Sequence, residues 1–436
     1  NDGMLHAFDA TTGVERWAFV PTAVIPMLYK LADTNYANLH RYYVDGPITI
    51  GDAYLQGQWR TILIGGLGKG GRSYYALDVT DDTPELLWEF PPADDLDLGY
   101  TYGAAQITKR QSDGKWVAMF ASGYNNVNPG SGAARLYVLD LQTGSKESEI
   151  VVSGNANPEE TGIAWVNGWT DAGMDDNTVQ HVYAGDLSGN VWRFDINADT
   201  VGVLATLGTG ASAQPVTTRV ELGDILDSSG GQANQRAIYV GTGRYLGDGT
   251  HSANPQNSDI LNTDMQSFYA IRDDANNLKN WGAFRSQPGV KQFTMSGSGN
   301  NRSIDYDAVL ASSPGWYLDF NVQNGERVVL NPRLFNGDQK TLTVISSIPD
   351  PSSVCEIGGT SYVYMLETQP TKAHKSLNGS ISYLSSAMAV GAAGVGLPGG
   401  KLAVIVNPSD GTTVTVNPPT TQGTTIKRAL WRELVN

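Results

Sequence analysis

The stretch VYAGDLSGNVWRFD (residues 182–195) consists of two apolar segments joined by a polar turn. Aromatic and β-branched residues fill both segments, whereas Asp, Ser, Gly and Asn lie between them at positions 186–190. This arrangement is typical of a β-hairpin. The stretch therefore predicts two antiparallel strands.

The second strand of this hairpin recurs along the chain about every 60 residues. Each copy is a short apolar segment, and most copies end in an acid; the terminal residues are Asp9, Asp78, Asp140, Asp195, Arg272, Asp319 and Glu367. Repeated sheets that cannot bury both faces alone pack around a common axis. We therefore predict an all-β fold, a β-propeller of about seven irregular blades in a single domain over residues 1–436. Loop and short helical insertions are also expected, among them a helix near Ile25, Leu28 and Leu31.

The residues around each repeat have structural roles that require no ligand. The carboxylate of Asp9 can accept backbone N–H groups of the following turn, and Gly13 or Gly144 can adopt positive φ there. Trp17 and Trp88 supply flat surfaces that can pack between neighbouring sheets. The repeat thus predicts a strand, a turn, and a tryptophan that packs between neighbouring sheets.

Composition excludes several classes of function. The formal net charge is −15, a field that repels phosphate backbones, so we expect no nucleic-acid partner. Cys355 is the only cysteine, which excludes an intramolecular disulfide. No apolar run is long enough for a transmembrane segment. The chain begins inside a turn-strand pattern, so we expect it to be the C-terminal part of a longer exported protein.

One glycine motif suggests a ligand and has a plainer explanation. Gly66, Gly68 and Gly71 fit the G-x-G-x-x-G pattern of dinucleotide loops, but that pattern requires a following helix and SYYALDV is a strand sequence. We therefore expect a hairpin turn there. No G-x-S-x-G elbow is present, and the five histidines are scattered, so no catalytic residue is assigned.

An acidic stretch, TDAGMDDNTVQ, precedes the hairpin and contains Asp171, Asp175 and Asp176. Calcium prefers alternating carboxylate and carbonyl oxygens on a tight loop. Neutral residues stand where the closing acid would be needed, at 177–180. A calcium site on these three aspartates and an ordinary polar turn are both open; otherwise we expect no cofactor.

The repeat also resembles the blades of quinoprotein dehydrogenases. Such enzymes commonly need an adjacent pair of cysteines over the cofactor, which Cys355 alone cannot supply. A quinoprotein-type dehydrogenase therefore remains an alternative to a non-enzymatic protein, as does a generic outer-membrane-associated propeller scaffold.

Several segments in chain order resemble the C-terminal propeller of the PilC/PilY family of type IV pilus tip and biogenesis proteins. They include NDGMLHAFDATTG, RYYVDG, GGLGKGGRSYYALDVTD, DLGYTYG, YAGDLSGNVWRFD and IPDPSSVCEIGGTSYVYMLE. The resemblance implies a non-enzymatic biogenesis factor and tip adhesin that opposes pilus retraction and supports twitching motility and attachment. It implies location at the outer membrane, cell surface and pilus tip, and partners among pilins, other assembly proteins, and host or abiotic surfaces.

The same resemblance implies where calcium would bind. In some members a calcium loop precedes the Tyr-x-Gly-Asp strand, and here that position corresponds to residues 171–180. Asp176 matches the middle acid of the family pattern, whereas Ala172 and Gln180 stand at the flanking ligand positions. For partner contacts, the candidates are the loops at 65–71, 122–128 and 241–248, since binding residues concentrate on loops.

Overall fold

Strands make up 53% and helices 4% of the computed structural model, as the repeat predicts for an all-β chain. The structure describes residues 2–92, 95–152, 162–170, 176–209, 212–226, 232–246, 259–274, 277–305, 308–310, 312–334, 341–350, 358–368, 381–384, 387–397 and 401–416. Within them, no helix has the length and apolarity to cross a membrane.

The chain forms two compact units. The first contains Asn1–Asp186, Arg193–Gly202 and Ala429–Asn436, and the second contains Leu187–Trp192 and Val203–Arg428. The single domain over residues 1–436 stays a prediction.

The first unit begins with a hairpin and a short helix. Strands β1 (Leu5–Phe8) and β2 (Glu15–Phe19) pair antiparallel. A 3₁₀ helix follows at Thr22–Ala32, which confirms the predicted helical insertion. Its apolar residues pack with Leu5 and Tyr75 in one buried cluster.

Two four-stranded antiparallel sheets form the centre of this unit, with their strands consecutive in the chain. The first sheet contains β3 (Ile48–Leu55), β4 (Gln58–Gly66), β5 (Tyr74–Asp78) and β6 (Glu85–Phe90). The second contains β7 (Gln106–Arg110), β8 (Trp116–Ala121), β9 (Arg135–Asp140) and β10 (Lys146–Val151). Both sheets therefore have the simple meander order of a propeller blade.

Strand β5 is buried on both faces because alternate residues enter different cores. Tyr74 and Ala76 join a cluster with residues of both sheets, whereas Tyr75 and Leu77 face the cluster beneath the 3₁₀ helix. This alternation follows from the two-residue period of a strand. An isolated sheet could not bury both faces, so stacking of sheets is required.

Additional strands extend the second sheet. Strand β12 (Thr178–Gly185) pairs in parallel with β7, and β11 (Asn167–Thr170) pairs antiparallel with β12. Next in this sheet come β13 (Asn190–Asp195) and β14 (Thr200–Thr206). The hairpin predicted at 182–195 is thereby confirmed as β12 and β13.

The structural roles predicted for the repeat are also confirmed. Asp9 Oδ1 accepts the backbone N–H groups of Thr11 at 3.0 Å and Thr12 at 2.9 Å, and Gly13 has a φ of 71°. Trp88 packs in the cluster shared by the two central sheets, and its indole N–H donates to the carbonyl of Leu141 at 2.8 Å. The repeat acid thus closes a turn, and the tryptophan joins two sheets.

The second unit is built mainly from antiparallel strand pairs, with one parallel pairing between residues 291–293 and 316–318. It begins with the short pair β15 (Gly208–Thr209) and β16 (Ser212–Ala213). A six-stranded sheet follows in the order β17-β18-β19-β22-β20-β21. Its strands are β17 (Glu221–Leu226), β18 (Gln232–Gly241), β19 (Ser267–Asp274), β20 (Lys291–Ser298), β21 (Asn301–Asp305) and β22 (Gly315–Asp319). A 3₁₀ turn lies at Phe284–Ser286.

Two further sheets complete the second unit. One contains β23 (Arg327–Val328), β24 (Arg333–Leu334), β25 (Thr341–Pro349), β26 (Gly359–Glu367) and β27 (Ile381–Leu384). The other contains β28 (Ala389–Leu397), β29 (Lys401–Pro408) and β30 (Val414–Val416). The main core of this unit joins the six-stranded sheet to β25 and β26 through residues such as Trp316, Tyr239 and Tyr364.

Candidate functional site

Four loops of the first unit meet at the ends of β4 and β8, and we call them the glycine loop cluster. They comprise residues 42–46, 66–73, 97–103 and 121–126. Isolated antiparallel bridges join Gly68 to Thr101 and Tyr100 to Tyr124. The backbone N–H of Gly99 donates to the carbonyl of Ser122 at 2.6 Å. The cluster is therefore held by main-chain contacts between loops distant in sequence.

Glycine is required where these loops touch. A Cβ atom at Gly70 would lie 1.6 Å from the carbonyl oxygen of Tyr43, and one at Gly99 would lie 2.2 Å from that of Tyr124. Both distances are far below van der Waals contact, and the obstructing atoms are backbone. The glycines of the GGLGKGGRS segment thus allow loop stacking. The strand β5 follows them, so the structure supports the hairpin-turn interpretation of the G-x-G-x-x-G pattern.

Aromatic and basic side chains lie over this backbone. Lys69 Nζ is 5.2 Å from the ring centroid of Tyr42, and the Arg72 guanidinium is 5.5 Å from that of Tyr100. Tyr42 is 38% exposed. Burial, with smaller contributions from nearby Tyr and Asp side chains, raises the pKa of Tyr102. These rings offer flat contact area beside two cations.

Arg72 also fixes the neighbouring loop. Its Nη2 donates to the carbonyl of Asn125 at 2.6 Å, and its Nη1 donates to that of Asn128 at 3.1 Å. Two of the three predicted contact loops, 65–71 and 122–128, are thus brought together in one unit. The third, 241–248, belongs to the second unit, and its residues 247–248 lie outside the described residues.

Of the predicted calcium ligands, the structure describes Asp176; Asp171 and Asp175 lie outside the described residues. The Oδ1 atom of Asp176 is 2.6 Å from Lys109 Nζ, and it accepts the hydroxyl hydrogen of Thr178 at 2.6 Å. The Lys109 ammonium and the Thr178 hydroxyl hold the pKa of Asp176 below its usual value.

In the described part of the loop, Asp176 Oδ1 already has two partners, and the calcium site stays a prediction. A cation bound to Asp176 Oδ1 would need to lie about 2.3–2.6 Å from an oxygen that already receives an ammonium and a hydroxyl. Gln180, at the far ligand position, donates its amide to Asp195 Oδ2 at 3.2 Å. No group of three or more His, Cys, Asp or Glu side chains is placed to hold a metal in the part of the chain that the structure describes.

Sequence reasoning missed Lys109, since it lies on β7, far from the acidic stretch in the chain. Thr178 of β12 pairs with Lys109 in a parallel register that no local pattern indicates. A lysine before a turn is ordinarily a solvated residue, so its sequence context carries no signal. In contrast, Lys69 and Arg72 lie within the glycine-rich segment GGLGKGGRS, which contains the loop predicted to contact partners.

With this geometry established, comparison with known proteins gives the family. A family model described as the PilY1 beta-propeller domain matches residues 1–285. The chain belongs to the PilY1 family. This confirms the resemblance deduced from the quoted segments.

Curated PilY1 relatives extend the match over most of the chain. A type IV pilus biogenesis factor PilY1 homolog of Xylella fastidiosa is 34% identical over 84% of this chain and 25% of its own length. PilY1 of Pseudomonas aeruginosa strain UCBPP-PA14 is 42% identical over 46% of this chain and 17% of its own length. The chain therefore spans about a quarter or less of the length of these two relatives.

The crystal structure of the P. aeruginosa PilY1 C-terminal domain confirms the fold. It superposes with a TM-score of 0.69 and 23% identity, covering 96% of this chain and 91% of that one. This PilY1 family member thus has the predicted β-propeller fold, built here from sheets of unequal size.

Proposed function

We propose that this chain is a non-enzymatic domain of a type IV pilus biogenesis factor and tip adhesin. In this role it promotes pilus extension, opposes retraction, and supports twitching motility and surface attachment. The match of residues 1–285 to the PilY1 propeller supports this proposal most strongly. The relatives' names, which describe biogenesis factors, agree with it.

The proposal includes a location and partners. We place the protein in the exported fraction, at the outer membrane, cell surface and pilus tip, where it contacts pilins, other assembly proteins, and host or abiotic surfaces. For pilins we favour the glycine loop cluster as contact surface. Tyr42 and Lys69 are exposed there in the same cluster as Arg72, and tyrosine and arginine are enriched at protein interfaces.

Deletion of the region that encodes residues 1–436 tests the function. We expect loss of surface pili, measured by shearing and immunoblotting, and loss of twitching zones on agar. Restoration of both by the wild-type gene is the control. Normal piliation and normal twitching in the deletion strain would refute the proposed role.

A double variant, Tyr42→Ser with Lys69→Glu, tests the contact surface. Truncation of an interface tyrosine that contributes to binding costs about 1–2 kcal/mol, so we expect pilin binding to weaken about tenfold in biolayer interferometry. Tyr54→Ser with Lys115→Glu is the matched control, because these side chains are 43% and 49% exposed elsewhere in the first unit. If the Tyr42→Ser, Lys69→Glu variant bound pilin as tightly as the control double variant, the pilin contact would lie elsewhere.

A further inference from the structure

The cation beside Asp176 in this chain is a lysine. Lys109 Nζ lies 2.6 Å from Asp176 Oδ1, and the two side chains are 19% and 46% exposed. The ammonium is thus the more buried partner. It reaches the acid from β7, the strand that pairs with β12.

The main chain holds Lys109 at this place. Its N–H donates to the carbonyl of Asn177 at 2.7 Å, within the parallel pairing of β7 and β12. The Thr108 hydroxyl donates to the same carbonyl at 2.7 Å, and the Asn177 side-chain amide donates to the carbonyl of Ile107 at 2.9 Å. These hydrogen bonds connect residues 107–109 to Asn177, directly after Asp176.

The lysine side chain is also confined laterally. Its ammonium lies 5.8 Å from the ring centroid of Trp116, the residue paired with Lys109 across β7 and β8. A cation over an aromatic face is attracted by the ring quadrupole. Contact with both Trp116 and Asp176 leaves the ammonium few alternative positions, so the charge is preorganised.

A preorganised ammonium has two consequences at this loop. It neutralises the carboxylate that a divalent cation would need, and it repels a second cation brought to the same oxygen. Calcium would have to displace an amine whose strand is anchored by backbone bonds. A lysine fixed beside Asp176 can therefore do permanently what a bound metal does on occupancy.

We propose that Lys109 is the built-in cation of this loop, so that residues 176–180 keep their conformation without calcium. The inference does not depend on the pilus function. It concerns a lysine, an aspartate and a backbone pairing in the first unit.

Hydrogen exchange on the 436-residue chain tests the proposal, with the peptide covering residues 176–185 as the readout. For the wild type we expect the same protection in EGTA as in 5 mM calcium, with 5 mM magnesium as the ion control. Lys109→Met should lower protection several-fold in EGTA. Lys115→Met is the matched control, since Lys115 pairs with Glu147 in the same unit and should leave this peptide unchanged.

Calorimetry supplies a second measurement that needs no variant. Extracellular calcium modules bind at roughly 10⁻⁴–10⁻³ M. We expect no saturable heat from the wild type in that range, and a new calcium response from Lys109→Glu if that variant folds. Saturable wild-type binding, calcium-dependent protection of residues 176–185, or unchanged protection in Lys109→Met would each overturn the proposal.

Discussion

The glycine loop cluster of the first unit and the core of the second unit keep distant segments together by opposite means. In the first, backbone meets backbone, and contact depends on the absence of side chains at positions such as Gly70. In the second, a charged network crosses the core. Arg302 Nη1 donates to both carboxylate oxygens of Glu326, at 2.9 and 2.7 Å, and both side chains are completely buried.

Further polar groups complete the network of the second unit. The hydroxyls of Tyr364 and Ser346 donate to Glu326 Oε1 at 2.5 and 2.6 Å, and the Arg302 guanidinium lies 3.5 Å from the ring centroid of Tyr362. Burial and the neighbouring Glu326 raise the pKa of Tyr364 well above its ordinary value. The Tyr364 phenol therefore stays neutral beside the charged Arg302 guanidinium, whose pKa is also raised.

The difference shows what each region can tolerate. In the glycine loop cluster, the contacts depend on the close approach of backbone atoms, so an added Cβ atom must move the backbone. These glycine contacts contain no charged group that a substitution could leave unpaired. The buried network tolerates changes of shape better than loss of one partner, because an unpaired charge in the core is very costly. Substitutions that change side-chain volume and substitutions that remove a charge should therefore destabilise the two regions to different extents.

The largest effect is expected from Arg302→Met. It leaves Glu326 buried without its cation, so the free energy of unfolding should fall by about 3–5 kcal/mol. Urea unfolding followed by tryptophan fluorescence measures this. Adding Glu326→Leu removes the stranded charge and should restore part of the loss; an equal loss in the single and double variants would contradict the role assigned to charge.

A smaller effect is expected from Gly70→Ala. The new Cβ would overlap the carbonyl of Tyr43, and the resulting backbone shift should cost about 1–3 kcal/mol in the same urea assay. Gly51→Ala is the control, because a Cβ there meets the Ile107 side chain at an ordinary 3.5 Å. If the two alanine variants were equally stable, close backbone contact would not be what constrains the loops.

The smallest effect on stability is expected at alkaline pH and involves Tyr269 of the second unit. The Tyr269 hydroxyl donates to Gln214 Oε1 and accepts from Arg285 Nε at 2.7 Å. Burial raises its pKa from 10.0 to about 12. The contribution of the neutral Tyr269 phenol to the free energy of unfolding is complete below pH 10 and is lost as pH rises through 12. About 1.4 kcal/mol of it is lost by pH 11.

Tyr269→Phe removes this titration, so its stability should fall less steeply than that of the wild type between about pH 10 and 12. Guanidinium unfolding at stepped pH gives the two slopes. Identical slopes would show that the Tyr269 phenol does not contribute to alkaline unfolding.

Much of the fold could be predicted from local pattern. The repeat acid at Asp9 caps its turn and a 3₁₀ helix occupies Thr22–Ala32, because these features depend on neighbours a few residues away. The repeat also indicates that Trp88 packs between sheets, although its partner Leu141 is distant in the chain. The candidate site was only partly predictable. Two of its loops were identified, but their meeting through residues 97–103 depends on sheet packing.

The sequence by itself determined the strand repeat, the turns and the family, since hydrophobic period, turn chemistry and motif order are written along the chain. Only the tertiary structure decided which charges meet. Lys109 reaches Asp176 through a parallel strand pairing, and Arg302 reaches Glu326 across a buried core. Electrostatic energy depends on distance and burial in space, and neither quantity is encoded in separation along the chain.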